Sequence, residues 1–170
     1  MLDKLYITPR QWLQILRWAL YSLLFLSVMM VQTVVLGNRT VFGTHPSFVP
    51  IVITCVCLRE GAERGGLFAL LASLFWCLSG ADLGSMSILI LTVLPVLGAL
   101  LCKAVLNNRF LPCLAISFLT LACDQFIGFL LKYFLGRVPA ALFTRELLPC
   151  VFLSILSQPL LYWLVKCIAK

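Results

Sequence analysis

The sequence has little charge and little polarity. Of its 170 residues 11% are charged and 62% are hydrophobic, whereas a soluble domain averages about 25% charged and about 45–50% apolar residues. A chain of this length cannot remove so much apolar surface from water by folding on itself. The composition excludes an ordinary water-soluble domain and predicts a protein of the lipid bilayer.

The residues and motifs of catalysis are also scarce. The one histidine, His45, precedes Pro46 at the edge of an apolar segment, without an obvious carboxylate partner. No G-x-x-x-x-G-K-[ST], H-E-x-x-H or G-x-S-x-G motif occurs. The eight cysteines are spread along apolar runs, and only Cys55 and Cys57 are close together. Because a zinc site needs clustered ligands at defined spacing, we expect no enzyme activity, no metal and no cofactor.

Long apolar runs are what the sequence has in abundance. A transmembrane helix needs about 20 apolar residues, and the candidate spans are 11–36, 46–58, 65–79, 84–105, 110–135 and 147–168. The second and third are short, so they either cross as two steep spans or dip in as a re-entrant hairpin; we favour two spans. The sequence therefore predicts an all-α, polytopic membrane protein, with residues 1–170 as one integral domain of six transmembrane helices.

The net charge of +7, from 13 Lys and Arg against 6 Asp and Glu, predicts orientation. In a soluble chain this balance would suggest nucleic acid, but membrane proteins collect basic residues in their cytoplasmic loops. With the N-terminus inside, nine basic residues lie on the cytoplasmic side and four outside. Both termini are therefore predicted to be cytoplasmic, with no nucleic-acid partner. Arg17, inside the first segment, is expected to snorkel to the interface beside Trp12, Trp18 and Tyr21.

Asp124 and Gln125 lie near the middle of the fifth segment. An acid at that depth costs about 2.5–3.5 kcal/mol on insertion scales, so it usually faces a cavity or a partner. One interpretation is a proton relay. The other is a structural hydrogen bond to a neighbouring helix, or to Ser157 and Gln158 in the sixth segment. We favour the structural contact, because a relay normally has a second carboxylate or a histidine.

A charged turn, Arg59-Glu60-Gly61-Ala62-Glu63-Arg64, separates the second and third segments. We expect it to face the cytoplasm, either solvated or in contact with a partner. After it, small residues recur every three or four positions on one helical face: Gly65, Ala69, Ala72 or Ser73, Cys77 and Gly80. Such a face allows close approach of another helix, from this chain or from a second subunit. The G-x-x-x-G spacings of Gly61 with Gly65 and Gly80 with Gly84 are better explained by turns.

The stretch Leu58 to Leu70, continued by Leu78-Ser79-Gly80-Ala81-Asp82-Leu83-Gly84 to Ile88 and Leu89, has the arrangement of a known family. It resembles the MreD family of bacterial rod shape-determining membrane proteins, whose members show a short polar turn with glycine followed by G-x-x-x-G-[FL]-x-x-G-L-L-x-D-x-x-S-G-x-x-L-G. Six spans and the chain length extend the resemblance over the whole sequence. Trp76 stands where the family commonly has an Asp, so a role of that acid does not transfer; Asp82 and Asp124 are acids elsewhere in the chain.

The resemblance implies a noncatalytic scaffold of the cell-elongation machinery in the bacterial inner membrane, which helps to maintain rod shape and direct lateral peptidoglycan synthesis. The implied direct partner is an MreC-like membrane protein, bound through exposed apolar and small helix faces. Indirect partners are MreB-like filaments, a RodA-like glycosyltransferase and a class B penicillin-binding protein, with membrane lipid around the helices. The candidate partner-binding or structural residues are Arg59, Glu60, Gly61, Arg64, Gly65, Ala69, Ser73, Gly80, Asp82, Gly84, Asp124 and Gln125.

Two alternative functions stay open. The MreD family is similar to the six-helix S components of energy-coupling-factor vitamin transporters, so the chain could be a vitamin-binding subunit. The first helix has Ala19, Ser22 and Ser27 among bulky residues but no clear A-x-x-x-A for docking on a coupling subunit. A proton-coupled carrier that uses Asp124 is the other alternative, since short spans beside a charged turn can mark broken-helix sites.

Overall fold

The computed structural model describes residues 9–35, 46–80, 85–104, 110–135 and 143–169. They are almost entirely helical, and no strand occurs among them. The helices are α1 (Pro9–Met30, continued by a π-helical turn over Val31–Val35), α2 (Val49–Glu60), α3 (Ala62–Leu78), α4 (Ser85–Ala104), α5 (Phe110–Phe134), α6 (Phe143–Leu156) and α7 (Gln158–Ile168). The all-α prediction is confirmed for this part of the chain.

Prolines determine where several helices begin or break. Pro50 and Pro159 lie in the first turns of α2 and α7, where a missing N–H leaves no bond unmade. Pro159 also prevents α6 from continuing, because its ring clashes with the carbonyl four residues earlier. The chain turns at Ser157, whose hydroxyl donates to the Ser154 carbonyl at 2.6 Å. The sixth apolar segment is therefore two helices and not one continuous helix.

α2 is the central helix of the bundle. It contacts α1, α3, α4, α5 and α7, and every residue from Val49 to Leu58 is buried. A helix that is apolar on all sides suits a position surrounded by other helices. Around it, α3 packs on α4, α4 on α5, and α5 on α6, while α1 packs on α2 and α7.

Four helical segments of the described chain have the length and hydrophobicity to cross a membrane: Gln11–Val34, Met86–Lys103, Leu111–Phe134 and Pro149–Ile168, the last with the turn at Ser157 inside it. Between 17% and 39% of each is buried inside the bundle, so most of their apolar side chains lie on the outside. The molecule thus has the surface of a multi-pass membrane protein. α2 and α3, with 12 and 17 residues, are shorter than the usual span.

Candidate functional site

Asp124 lies inside the bundle, on α5. Its exposed fraction is 4%, and its Oδ1 accepts a hydrogen bond from the Ser87 hydroxyl of α4 at 3.3 Å. Asp124 therefore makes a hydrogen bond to a neighbouring helix, as the structural interpretation expects. Its partner is Ser87 and not the Ser157 and Gln158 pair. Gln125, the next residue, is half-buried.

Gln158 is the least satisfied polar side chain in the described part of the chain. It is completely buried at the start of α7, and neither atom of its amide has a hydrogen-bond partner among the described residues. The Ser117 hydroxyl of α5 is in the same condition. Both groups lie beside the Cys113 thiol, a weak hydrogen-bonding group, which compensates little for the cost of burying polar atoms.

Two cysteines from distant parts of the sequence meet in the core. The Sγ atoms of Cys55 in α2 and Cys113 in α5 are 3.7 Å apart, and all eight cysteines are free thiols. The sequence pointed to Cys55 and Cys57 as the close pair. The contact with Cys113 joins residues 58 positions apart, and only the packing of α2 against α5 brings them together.

The charged turn after α2 is anchored to α1. The Tyr21 hydroxyl donates to Glu60 Oε1 at 2.8 Å, and Arg17 Nη1 lies 3.6 Å from the same oxygen. The Glu60 side chain is 9% exposed and that of Arg17 is 37% exposed. Glu60 thus joins α1 to the end of α2. Arg17, which is expected to snorkel to the interface, has an ion-pair partner on α2 as well. Glu63 and Arg64 remain exposed, and Arg59 is partly buried.

The small residues of α3 pack inside this chain. Ala69, Ala72 and Ser73 are buried, and the hydroxyls of Ser73 and Thr92 of α4 lie 3.1 Å apart. Gly65 faces the α2 backbone so closely that an added Cβ would lie 2.5 Å from the Cys57 Cα. Of the two partners that the sequence allowed for this face, the structure places helices of this chain there.

The candidate glycines have different roles. Gly61 and Gly80 adopt φ values of +90° and +93°, which favour glycine in turns, whereas Gly65 is needed for close packing against Cys57. The turn explanation therefore fits Gly61 and Gly80 but not Gly65. Asp82 and Gly84 lie outside the described residues.

Gln32 has a structural role that was not predicted from the sequence. It lies in the π-helical turn after α1, and its Oε1 accepts the N–H groups of Phe48 and Val49 at 2.9 and 3.2 Å. The first N–H groups of a helix have no partner within the helix, so Gln32 supplies the cap of α2. The Ser47 N–H donates to the Ser154 hydroxyl at 2.9 Å, which ties the same end to α6.

An aromatic cluster joins α1 to α3. Phe68 of α3 packs against Trp18, Tyr21 and Phe25 of α1, with ring centroids 6.1–6.4 Å apart, and Trp18 and Tyr21 meet edge to face at 5.8 Å. Such contacts are favourable beyond the area that they bury. Beside the cluster, α1 and α3 leave an open groove of about 810 Å³.

The resolved polar contacts link helix pairs: α4 to α5 through Asp124, α1 to α2 through Glu60, and α3 to α4 through Ser73. Within the described residues there is no group of three or more His, Cys, Asp or Glu side chains able to hold a metal ion. The chain matches no family model, no characterised protein and no solved structure. Its function has to be inferred from this arrangement of side chains.

Proposed function

We propose that this protein is a noncatalytic scaffold of the bacterial cytoplasmic membrane, similar to MreD, which binds the transmembrane helix of an MreC-like partner and helps to direct lateral peptidoglycan synthesis. The observation that carries the proposal is the internal use of the two described, buried acids. Asp124 bonds to Ser87 and Glu60 to Tyr21, so both connect helices. The few polar side chains of this protein therefore connect its own helices, and the surface that remains available to partners is apolar.

In this proposal α2 and α3 both cross, giving six spans with both termini cytoplasmic. α2 touches α1 at two levels: Gln32 caps its beginning, and Arg17 with Tyr21 holds its end. Gln32 and Arg17 are separated by about 22 Å along α1 at the helical rise. α2 therefore runs antiparallel to α1, and its 12 residues cover about 18 Å of a hydrocarbon core of about 30 Å; this orientation favours a steep span over a shallow hairpin.

The outer face of α3 is the proposed contact for the partner helix. Leu70, Leu74, Phe75 and Leu78 are 43–76% exposed and recur at the spacing of one helical face. The opposite face of α3, with its small residues, is already occupied by α2 and α4. Packing between transmembrane helices is driven by close van der Waals contact, so a second helix that fits this exposed face of α3 would bind without polar bonds.

The test is a photo-reactive amino acid placed at Leu74, in cells that express the MreC-like, RodA-like and penicillin-binding proteins. We expect a crosslink to the transmembrane helix of the MreC-like protein. The matched control is the same amino acid at Leu119, an equally apolar and exposed residue on α5, which should give lipid adducts only. Recovery of no elongation protein, together with tight binding of a vitamin or capture of a vitamin-transporter coupling subunit, would overturn the proposal.

A further inference from the structure

The groove between α1 and α3 has a polar end and an apolar remainder. At the polar end lie Gln11 and Gln14 of α1 and Arg64 of α3. Both helices begin at this end, since Arg17 of α1 contacts Glu60, the residue that ends α2 just before α3. The rest of the wall is formed by Ile15, Trp18, Ser22, Leu67, Phe68 and Leu71, of which only Ser22 is polar. The groove is therefore amphipathic along its length.

Arg64 is a cation without a partner among the described residues. It is exposed and makes no ion pair or hydrogen bond with the residues that the structure describes. The neighbouring acid Glu60 is already engaged by Tyr21 and Arg17. A guanidinium presents its N–H groups as a fork that matches two oxygens of a phosphate. The polar end of the groove is therefore suited to a phosphate monoanion or diester.

The apolar wall of the groove indicates that the phosphate belongs to a lipid. A free phosphate would leave Ile15, Leu67 and Leu71 uncovered, whereas an acyl chain would cover them along the direction of the helices. Trp18 in the wall and Trp12, six positions earlier on α1, suit the headgroup level of a bilayer. Basic pockets between transmembrane helices, on the side predicted here to be cytoplasmic, recognise anionic lipid headgroups.

We propose that the groove between α1 and α3 is a binding site for an anionic phospholipid, with the headgroup phosphate at Arg64 and one acyl chain along Trp18, Phe68 and Leu71. The site does not depend on the identity of any protein partner. The lipid would fill the groove that the aromatic cluster leaves open between α1 and α3, and so attach α1 more firmly to the bundle.

The test is native mass spectrometry of the full chain, released from detergent with phosphatidylglycerol or with phosphatidylcholine of the same acyl chains. We expect phosphatidylglycerol to be retained in preference. Arg64→Gln should weaken its binding by about tenfold, the equivalent of one charge-assisted hydrogen bond. Leu71→Trp should reduce binding of both lipids, because the larger ring fills the acyl part of the groove.

Arg59→Gln is the matched control, since it removes the same charge from the same turn but lies at a separate small cavity beside Lys166. It should leave lipid retention unchanged. Equal loss in Arg59→Gln and Arg64→Gln, equal retention of the two lipids by the unaltered chain, or displacement of phosphatidylglycerol by inorganic phosphate alone would overturn the proposal.

Discussion

At the scale of single residues, the buried and partly buried polar groups fall into two classes. Asp124, Glu60 and Gln32 each have a partner on another helix, whereas both amide atoms of Gln158 lack a partner among the described residues. Because lipid offers no hydrogen bonds to a group that loses its partner, these two classes should respond in opposite ways to removal of the polar atoms.

Asp124→Asn keeps an oxygen that can accept the Ser87 hydroxyl, so the scaffold interpretation predicts unchanged thermal unfolding and unchanged partner recovery. Asp124→Leu removes the acceptor and should lower the free energy of unfolding by about 1 kcal/mol. Both are measured by thermal unfolding of the protein in detergent, with co-purification as the second readout. If Asp124→Asn folds normally but abolishes function, the acid works in its ionised form and the carrier alternative gains the support.

The two glutamines provide a comparison in which one substitution should have opposite effects. Gln158→Met replaces an amide that has no described partner by an apolar side chain of similar length, so we expect equal or higher stability. Gln32→Met leaves the N–H groups of Phe48 and Val49 without their acceptor, so we expect a loss of about 1–3 kcal/mol. Thermal unfolding in detergent compares the two, and a loss of stability in Gln158→Met would indicate that its amide has a partner.

At the scale of helices, close packing of α3 on α2 depends on one residue. An added Cβ at Gly65 would lie 2.5 and 2.8 Å from the Cα and carbonyl oxygen of Cys57. These are backbone atoms of the central helix, which cannot move without disturbing five neighbouring helices. The face of α3 that carries the small residues therefore has no space for a side chain at Gly65.

Gly65→Ala is expected to lower the free energy of unfolding by about 1–3 kcal/mol, the usual cost of overpacking. Gly66→Ala is the matched control, because its Cβ would meet only the Val96 side chain, 2.9 Å away, and no backbone atom. Val96 is stiff at χ1 and has to shift, so we expect a loss smaller than that of Gly65→Ala, offset in part by the helix preference of alanine. Urea or thermal unfolding of both variants decides the matter; equal effects would mean that the α2 backbone yields.

Helix positions were predictable from the sequence, whereas contacts were not. The apolar runs 84–105 and 110–135 correspond closely to α4 and α5, because apolar length specifies a helix in lipid. The break at Ser157, the cap from Gln32 and the bond of Glu60 to Tyr21 were not predicted. The break is a local effect of Pro159, whereas the cap and the Tyr21 bond join residues whose proximity depends on how helices pack. Tyr21 and Glu60 are 39 positions apart.

At the scale of the molecule, the distribution of apolar residues is that of a membrane protein. Large apolar side chains lie outside on α1, α3, α4 and α5, for example Leu23, Leu78, Leu101 and Leu119, while the polar contacts are internal. Six crossings and a re-entrant α2 and α3 pair both place the two termini on one side. Reporters at the termini therefore cannot distinguish these two layouts. The position of the turn between α2 and α3 relative to the membrane distinguishes them.

Glu63 lies in that turn and is exposed, so Glu63→Cys is the informative probe. In a background with the native cysteines replaced, we expect a membrane-impermeant thiol reagent to label it in inverted membrane vesicles but not in intact cells. A cysteine retained only at position 167, exposed near the end of α7, should show the same sidedness. Labelling of position 63 from outside, or from neither side, would contradict six spans.

The burial of α2 on every side has a consequence for the order in which the protein is made. In the proposed six-span arrangement, α2 enters the bilayer before α5 and α7, two of the helices that later cover it, have been synthesised. Because its residues from Val49 to Leu58 carry no charge, lipid chains can occupy those sides in the meantime and be displaced later by helices of similar apolarity. The uniform apolarity that suits α2 to the core of the folded protein therefore also keeps it stable in the membrane before the later helices are synthesised.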